Sequence, residues 1–161
     1  MYYAAQDPIP LAGEKREPPK VETQPVSEAT PQFQNFYITN VVCNGAEKGL
    51  FVRGLPEMNV KNIYLENMIL QSNHGLDFTE ATGIHLKNVQ LITADTNPVL
   101  NIHNSKNITL DKIGYKDGAE LLLNVTGEKS GTIKLINTDA SKAKKKLETS
   151  YGANEKAVVT R

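Results

Sequence analysis

The chain is expected to fold as an all-β right-handed parallel β-helix, a solenoid of about five coils with inward asparagine ladders. Three observations lead there. A nine-residue phrase recurs five times, each copy alternates apolar with polar residues, and asparagines fall into two columns when the copies are aligned. The copies occupy 33–41, 60–68, 81–89, 105–113 and 130–138, the last the most worn, on the skeleton asparagine, apolar, polar, apolar, any residue, asparagine, apolar. The first asparagine position falls at 35, 62, 83, 107 and 132, so the spacing drifts between 21 and 27 residues. A fixed phrase at a loose period of roughly 20–50 residues marks stacked supersecondary units.

The segment ahead of the first phrase has a different character. Residues 4–32 carry six of the eight prolines, with Glu14-Lys15-Arg16-Glu17 in the middle. Proline cannot donate to a strand ladder, so this stretch reads as an extended excursion outside the stack. Met1-Tyr2-Tyr3-Ala4-Ala5 has neither a basic n-region nor an apolar h-region, so it is not expected to act as a signal peptide. Residues 1–32 are expected to be the end of a preceding coil plus a long proline-rich loop, as in a chain entered midway.

Residues 33–138 are expected to be the coils. Phe36 and Ile38 alternate with Tyr37 and Thr39, and Ile63 and Leu65 alternate with Tyr64 and Glu66, which is strand periodicity with one apolar face. A second run follows in most coils, at 50–53, 76–79, 99–103 and 121–125. There Leu50/Val52, Leu76/Phe78, Leu100/Ile102 and Leu121/Leu123 are expected to face one way. No stretch between these strands is long enough for a crossover helix. Each strand is therefore expected to pair with its equivalent one coil along, at about 4.8 Å per coil. Asn35, Asn62 and Asn107 form one column, and Asn40, Asn67, Asn88 and Asn137 another. Coil corners leave peptide groups that no strand partner reaches, and an inward amide can both donate to and accept from them. Stacked amides also bond one another as a ladder.

Residues 139–161 are expected to cap the stack. Lys142, Lys144, Lys145 and Lys146 read as the solvated face of a short terminal helix or turn. The run from Glu155 to Arg161 reads as a final capping strand.

Charge and composition bound the partners. Eighteen basic residues balance eighteen acidic ones, so no global field favours nucleic acid or an anionic membrane. No apolar run approaches a membrane span. The single cysteine, Cys43, permits no internal disulfide and reads as a small buried core residue.

The asparagine phrases, the strand Gly49-Leu-Phe-Val-Arg-Gly-Leu-Pro56, and the Tyr2-Tyr3 opening followed by a proline-rich loop resemble the C-terminal part of bacterial polygalacturonase-like enzymes, glycoside hydrolase family 28. The likeness covers nearly the whole chain. It implies a parallel β-helix, pectic polysaccharide (galacturonan) as the parent enzyme's substrate, and inverting hydrolysis by paired aspartates and water. It also implies export to the periplasm, the cell surface or the medium, with no cofactor and no metal.

The family's catalytic motifs do not follow in order. They run Asn-Thr-Asp, Asp-Asp, Gly-His-Gly, Arg-x-Lys along adjacent coils. Asn137-Thr138-Asp139 matches the first, but only 22 residues follow it, with neither of the next two motifs among them. Asn73-His74-Gly75 resembles the histidine motif and precedes that match instead of following it. No Asp-Asp pair and no Arg-x-Lys occur, so no catalytic residue is assigned. The catalytic coils are expected upstream of Met1, and the chain alone is expected to be inactive. One substrate-binding residue carries over: Tyr3 sits where the family's subsite tyrosine ends a motif resembling Ile-Asp-Gln-x-Tyr, although Met1 replaces its Gln. A tyrosine ring can stack on a pyranose face there. An aromatic packed under the following loop is the alternative.

Other candidates read as surface. His74, His85 and His103 fall one per coil without the convergence a metal needs. Asp77 reads as an outward strand residue and Glu80 as a turn residue. Arg53 stacks with Thr79 and His103 and has the chemistry to hold a uronate carboxylate. Asn107-Ile-Thr109 and Asn124-Val-Thr126 match the glycosylation pattern and read as coil positions. Two further classes stay open. A pectate-lyase-like β-helix would want clustered carboxylates for calcium, where the outward column offers Asp77 between Phe51 and Asn101. A non-enzymatic β-helix, of adhesin or phage-tail type, would need none of these residues.

Overall fold

The computed structural model describes residues 22–160. Among these, 22–32 form no strand and make a turn in which the Thr30 amide donates to Ser27 O at 3.0 Å. The strands are β1 (Gln34–Arg53), β2 (Val60–Thr79), β3 (Ala81–Thr93), β4 (Leu100–His103), β5 (Lys106–Gly114), β6 (Ala119–Thr126), β7 (Gly131–Ile136), β8 (Ala143–Ser150) and β9 (Val158–Thr160). Every pairing is parallel: β1 with β2, β2 with β3 and β4, β3 with β5, β4 with β6, β5 with β7, β6 with β8, and β7 with β9. This is the β-solenoid of about five turns that the phrase predicts.

The pairing register stacks like upon like. Phe36, Ile63, Ile84, Ile108, Ile133 and Val158 form one inward column, and Ile38, Leu65, Leu86, Leu110 and Leu135 the next. Leu50, Leu76, Leu100, Leu123 and Leu147 stack on the opposite wall. The fourth coil differs from the expected pairing by two residues, because Leu123 and Val125, not Leu121 and Leu123, align with Leu100 and Ile102. Leu121 and Leu122 are nonetheless buried at the approach to that wall. At the bend of β2 the backbone passes so close to the next coil that a Cβ on Gly75 would lie 1.9 Å from the Val99 carbonyl oxygen.

The asparagines correct the sequence expectation. Two ladder bonds form, Asn62 Nδ2 to Asn35 Oδ1 at 3.0 Å and Asn88 Nδ2 to Asn67 Oδ1 at 2.8 Å, but they lie on the surface. The conserved element of the pattern is backbone conformation. Asn35, Asn62 and Asn107 have φ of 64°, 55° and 57°, and Asn40, Asn67, Asn88 and Asn137 have 59°, 57°, 55° and 49°. Asparagine tolerates this left-handed region, which turns the strand at a coil corner and points the amide outward. Gly83 takes the same conformation in the first column, where a Cβ would sit 2.9 Å from Asn62 Oδ1.

Hydroxyls do the inward work instead. Fully buried Ser105 accepts from the Ala81 amide at 3.0 Å and donates to His103 O at 2.7 Å, and Ser130 accepts from the Ser105 amide at 3.2 Å. Thr138 does the same for Ile113, accepting at 3.1 Å. A hydroxyl is short enough to serve a corner peptide without displacing core volume, which an inward amide would do.

Candidate binding face

The wall formed by the end of β1 and β2, with β4, β6 and β8, carries most of the clustered polar chemistry. Two outward columns run along it: Phe51, Asp77, Asn101, Asn124, Glu148, and Arg53, Thr79, His103, Thr126, Ser150. They share one face because strand side chains alternate and the coils are in register. Asp77 accepts from Lys48 Nζ at 2.8 Å and from Asn101 Nδ2 at 3.4 Å, and Asn124 Nδ2 donates to Asn101 Oδ1 at 2.9 Å. Lys48 and Arg53 both lie over the Phe51 ring, 4.8 and 5.2 Å from its centroid.

Beside these columns the link from β2 to β3 places Glu80 at φ 48°, only 5% exposed. Glu80 is therefore not the exposed turn residue that its sequence position suggests. Its carboxylate accepts from Asn104 Nδ2 at 2.8 Å and Asn59 Nδ2 at 3.1 Å, with Lys129 Nζ at 4.0 Å. An ion taken this far from water needs such partners. Asn104 also donates to His103 Nε2 at 3.2 Å, which leaves Nδ1 to donate to Thr126 Oγ1 at 2.8 Å. Burial holds the His103 pKa below its ordinary value, and the charges of Glu80 and Asp77 oppose that shift.

The three histidines are all engaged, contrary to the solvated reading. His74 Nδ1 faces Asp95 Oδ2 at 3.2 Å and its Nε2 faces Glu47 Oε1 at 3.3 Å. Its two carboxylates thus lie on opposite ring nitrogens and do not converge on a common point. His85 stacks on Tyr64, and Tyr64 on Tyr37, with centroids 4.7 Å apart in each pair and planes within 4°. Burial lowers the His85 pKa. Among the described residues no group of three or more His, Cys, Asp or Glu side chains is arranged to hold a metal.

The Asn137-Thr138-Asp139 match is structural. Thr138 serves the core as above. Asp139 caps a short turn (Ala140–Lys142), accepting from the Ser141 amide at 3.0 Å and its hydroxyl at 2.6 Å, and these bonds hold its carboxyl below the usual range. Cys43 is half-buried instead of buried, its Sγ 4.0 Å from Gln71 O, because among the described residues the strand paired with β1 is β2, on one side. Lys144, Lys145 and Lys146 lie in β8, not in a helix or turn, and pair with Glu120, Glu148 and Thr160. Tyr3 lies outside the described residues.

The buried Glu80 network and the ring stack were missed by reasoning from sequence. For the rings a signal existed, since Tyr37, Tyr64 and His85 hold the same place in successive phrases. For Glu80 none did, because its partners come from three separate loops. The face holds cations, amides and one aromatic ring in fixed positions. Within it each carboxylate is already occupied by N–H donors, and both nitrogens of His103 are bonded. Compared with protein-family models, curated proteins and solved structures, the chain matches none.

Proposed function

We propose that this chain forms the distal, non-catalytic coils of a pectin-degrading glycoside hydrolase of polygalacturonase type, exported from its cell, whose catalytic coils stack on β1. One observation supports this reading most. The inward residues Phe36 and Ile38 are each 41% exposed, whereas their equivalents Ile63 and Leu65 one coil along are 6% and 1% exposed. A β-helix wall that stops in mid-core is a surface for further coils. The sequence resemblance supplies the chemistry: galacturonan as substrate and inverting hydrolysis, with the acid and base on the added coils. Arg53 lies on the wall that would run on from those coils, and a guanidinium has the chemistry to hold a uronate carboxylate.

A specific observation favours the second reading, a non-enzymatic β-helix module. The polar face is a closed network in which Asp77 and Glu80 are held by lysine and asparagine donors. No helix among the described residues is long and apolar enough to cross a membrane.

The test is the native polypeptide that contains these peptides, isolated from its source and assayed for reducing ends released from polygalacturonate. A mass well above 17.7 kDa together with inverting hydrolysis is expected. A native polypeptide that carries further coils but releases nothing would move the assignment to the second reading.

A further inference from the structure

The first coil specifies what covers it. β1 presents a 20-residue strand edge whose other side is paired with β2, together with an apolar recess of about 340 Å³. Phe33, Phe36, Ile38, Leu50 and Val52 line that recess. Residues 22–32 do not cover it, since all but one of them are exposed.

Two ladders run up to this edge and stop. Asn62 donates to Asn35 Oδ1 at 3.0 Å, which leaves the Asn35 Nδ2 hydrogens for an acceptor one coil further on. The ring stack of His85, Tyr64 and Tyr37 ends on a Tyr37 that is 72% exposed, with one ring face covered by Tyr64. A strand edge with apolar pockets at alternate positions is the template for β-augmentation.

We infer that the open face of β1 binds one further parallel β-coil of defined chemistry. It carries asparagine over Asn35, an aromatic or imidazole ring over Tyr37, and branched or aromatic apolar residues over Phe36 and Ile38. The inference deepens the reading above by specifying the adjoining coil, and it stands whatever chemistry the rest of the stack performs. A second copy of this chain fits less well. A twofold mate would lay β1 antiparallel to itself, whereas every pairing among the described residues is parallel, and no reversed register puts both Asn35 and Tyr37 opposite their own kind.

The experiment inserts a copy of residues 60–80 between Gln32 and Phe33 of the full chain. The copy then runs into Phe33 as Glu80 runs into Ala81, and its Asn, Ile, Tyr and Leu fall over Asn35, Phe36, Tyr37 and Ile38. Amide hydrogen exchange is read residue by residue, with β3 and β5 as the internal standard of folding. In the parent, β1 amides are expected to exchange at least about ten-fold faster than those of β3. In the insertion variant they should slow by about ten-fold or more. A control insert, with Ile63→Asp and Leu65→Asp made in the copy only, should leave them fast while β3 and β5 stay protected.

Protection of β1 already present in the parent overturns the inference. Light scattering then identifies the occupant, a monomer pointing to residues 1–21 and a dimer to a second copy. An insert that leaves β1 exchange unchanged overturns it as well. Neither outcome bears on the hydrolysis assay, so the two readings fail separately.

Discussion

The two ends of the solenoid solve the same problem in opposite ways. At the C-terminal end β9 lays three residues over β7, and Ile133 and Leu135 beneath it are fully buried. Tyr115, 4% exposed, ties the turn before β8 by donating its hydroxyl to Asp139 O at 2.6 Å. The β8 edge carries Lys144, Lys145 and Lys146, each engaged with Glu120, Glu148 or Thr160. Charge along a short edge discourages another strand from adding. At the N-terminal end β1 is long, its edge bears few charges, and its inward Phe36 and Ile38 are each 41% exposed. Among the described residues one end of the stack is capped and the other is left open.

The largest effect that separates the ends is packing. Leu65→Ala, at 1% exposure, removes a side chain enclosed by coils on both sides. It should cost about 2–5 kcal/mol in urea unfolding. Ile38→Ala, one coil away in the same column, should cost under about 1 kcal/mol, because half its surroundings are already solvent. Equal costs would mean that β1 is covered in solution.

The cap gives a smaller contrast. Tyr115→Phe deletes the hydrogen bond to Asp139 O and leaves that carbonyl short of a partner, a loss of about 1 kcal/mol. Tyr37→Phe at the open end removes an exposed hydroxyl and should stay within about 0.5 kcal/mol. A cap that contributes to stability predicts that difference in denaturation midpoint at constant m-value.

The pH dependence locates a third difference, between the walls and the ends. His103 and His85 both titrate below the ordinary 6.5 because burial disfavours the imidazolium, and His103 faces Glu80, Asp77, Arg53 and Lys129. The unfolded chain therefore binds more protons than the folded one between the lowered values and 6.5. Stability from this source is whole above 6.5 and falls as pH drops through the folded values. Thermal midpoints should decline over that window, and His103→Gln should flatten the decline. A midpoint that rises on acidification would place these rings in a different environment.

Much of the fold was legible because the phrase encodes register. Ile, Leu and Asn at fixed places in successive copies pair with one another in the structure, and so do Tyr37, Tyr64 and His85. Which way the asparagines point was not legible. Their backbone φ, not their amide, is what recurs, and a sequence shows only the side chain. Ser105, Ser130 and Thr138, which serve the buried corners, occur too irregularly to stand out. The polar face was half legible: strand alternation placed Asp77, Arg53 and His103 together. Glu80 was misjudged because its burial depends on Asn59, Asn104 and Lys129, brought in by neighbouring turns. Cys43 was misjudged for the opposite reason, since an inward residue is buried only when coils lie on both sides.

The smallest expected effect tests that account of the asparagines. The second column reads Asn40, Asn67, Asn88, Lys112, Asn137, and Lys112 has φ 56°, like its neighbours. Lysine has no local hydrogen bond to offset the Cβ clash that this region imposes, and asparagine does. Lys112→Asn should therefore stabilise the chain by about 0.5 kcal/mol without touching the core. The reciprocal change, Asn88→Lys, should destabilise it by more, because it adds the clash and breaks the 2.8 Å bond to Asn67 Oδ1. An amide-ladder account without the backbone term also predicts a gain at 112, where the new amide would join the column, but it differs at 67. Asn67→Gly breaks the 2.8 Å bond while keeping a residue that tolerates positive φ. The ladder account therefore expects a loss equal to that of Asn88→Lys, and the backbone account a smaller one. Urea midpoints of the three variants decide between them. If Lys112→Asn leaves the midpoint unmoved, backbone conformation is not what selects asparagine at these corners.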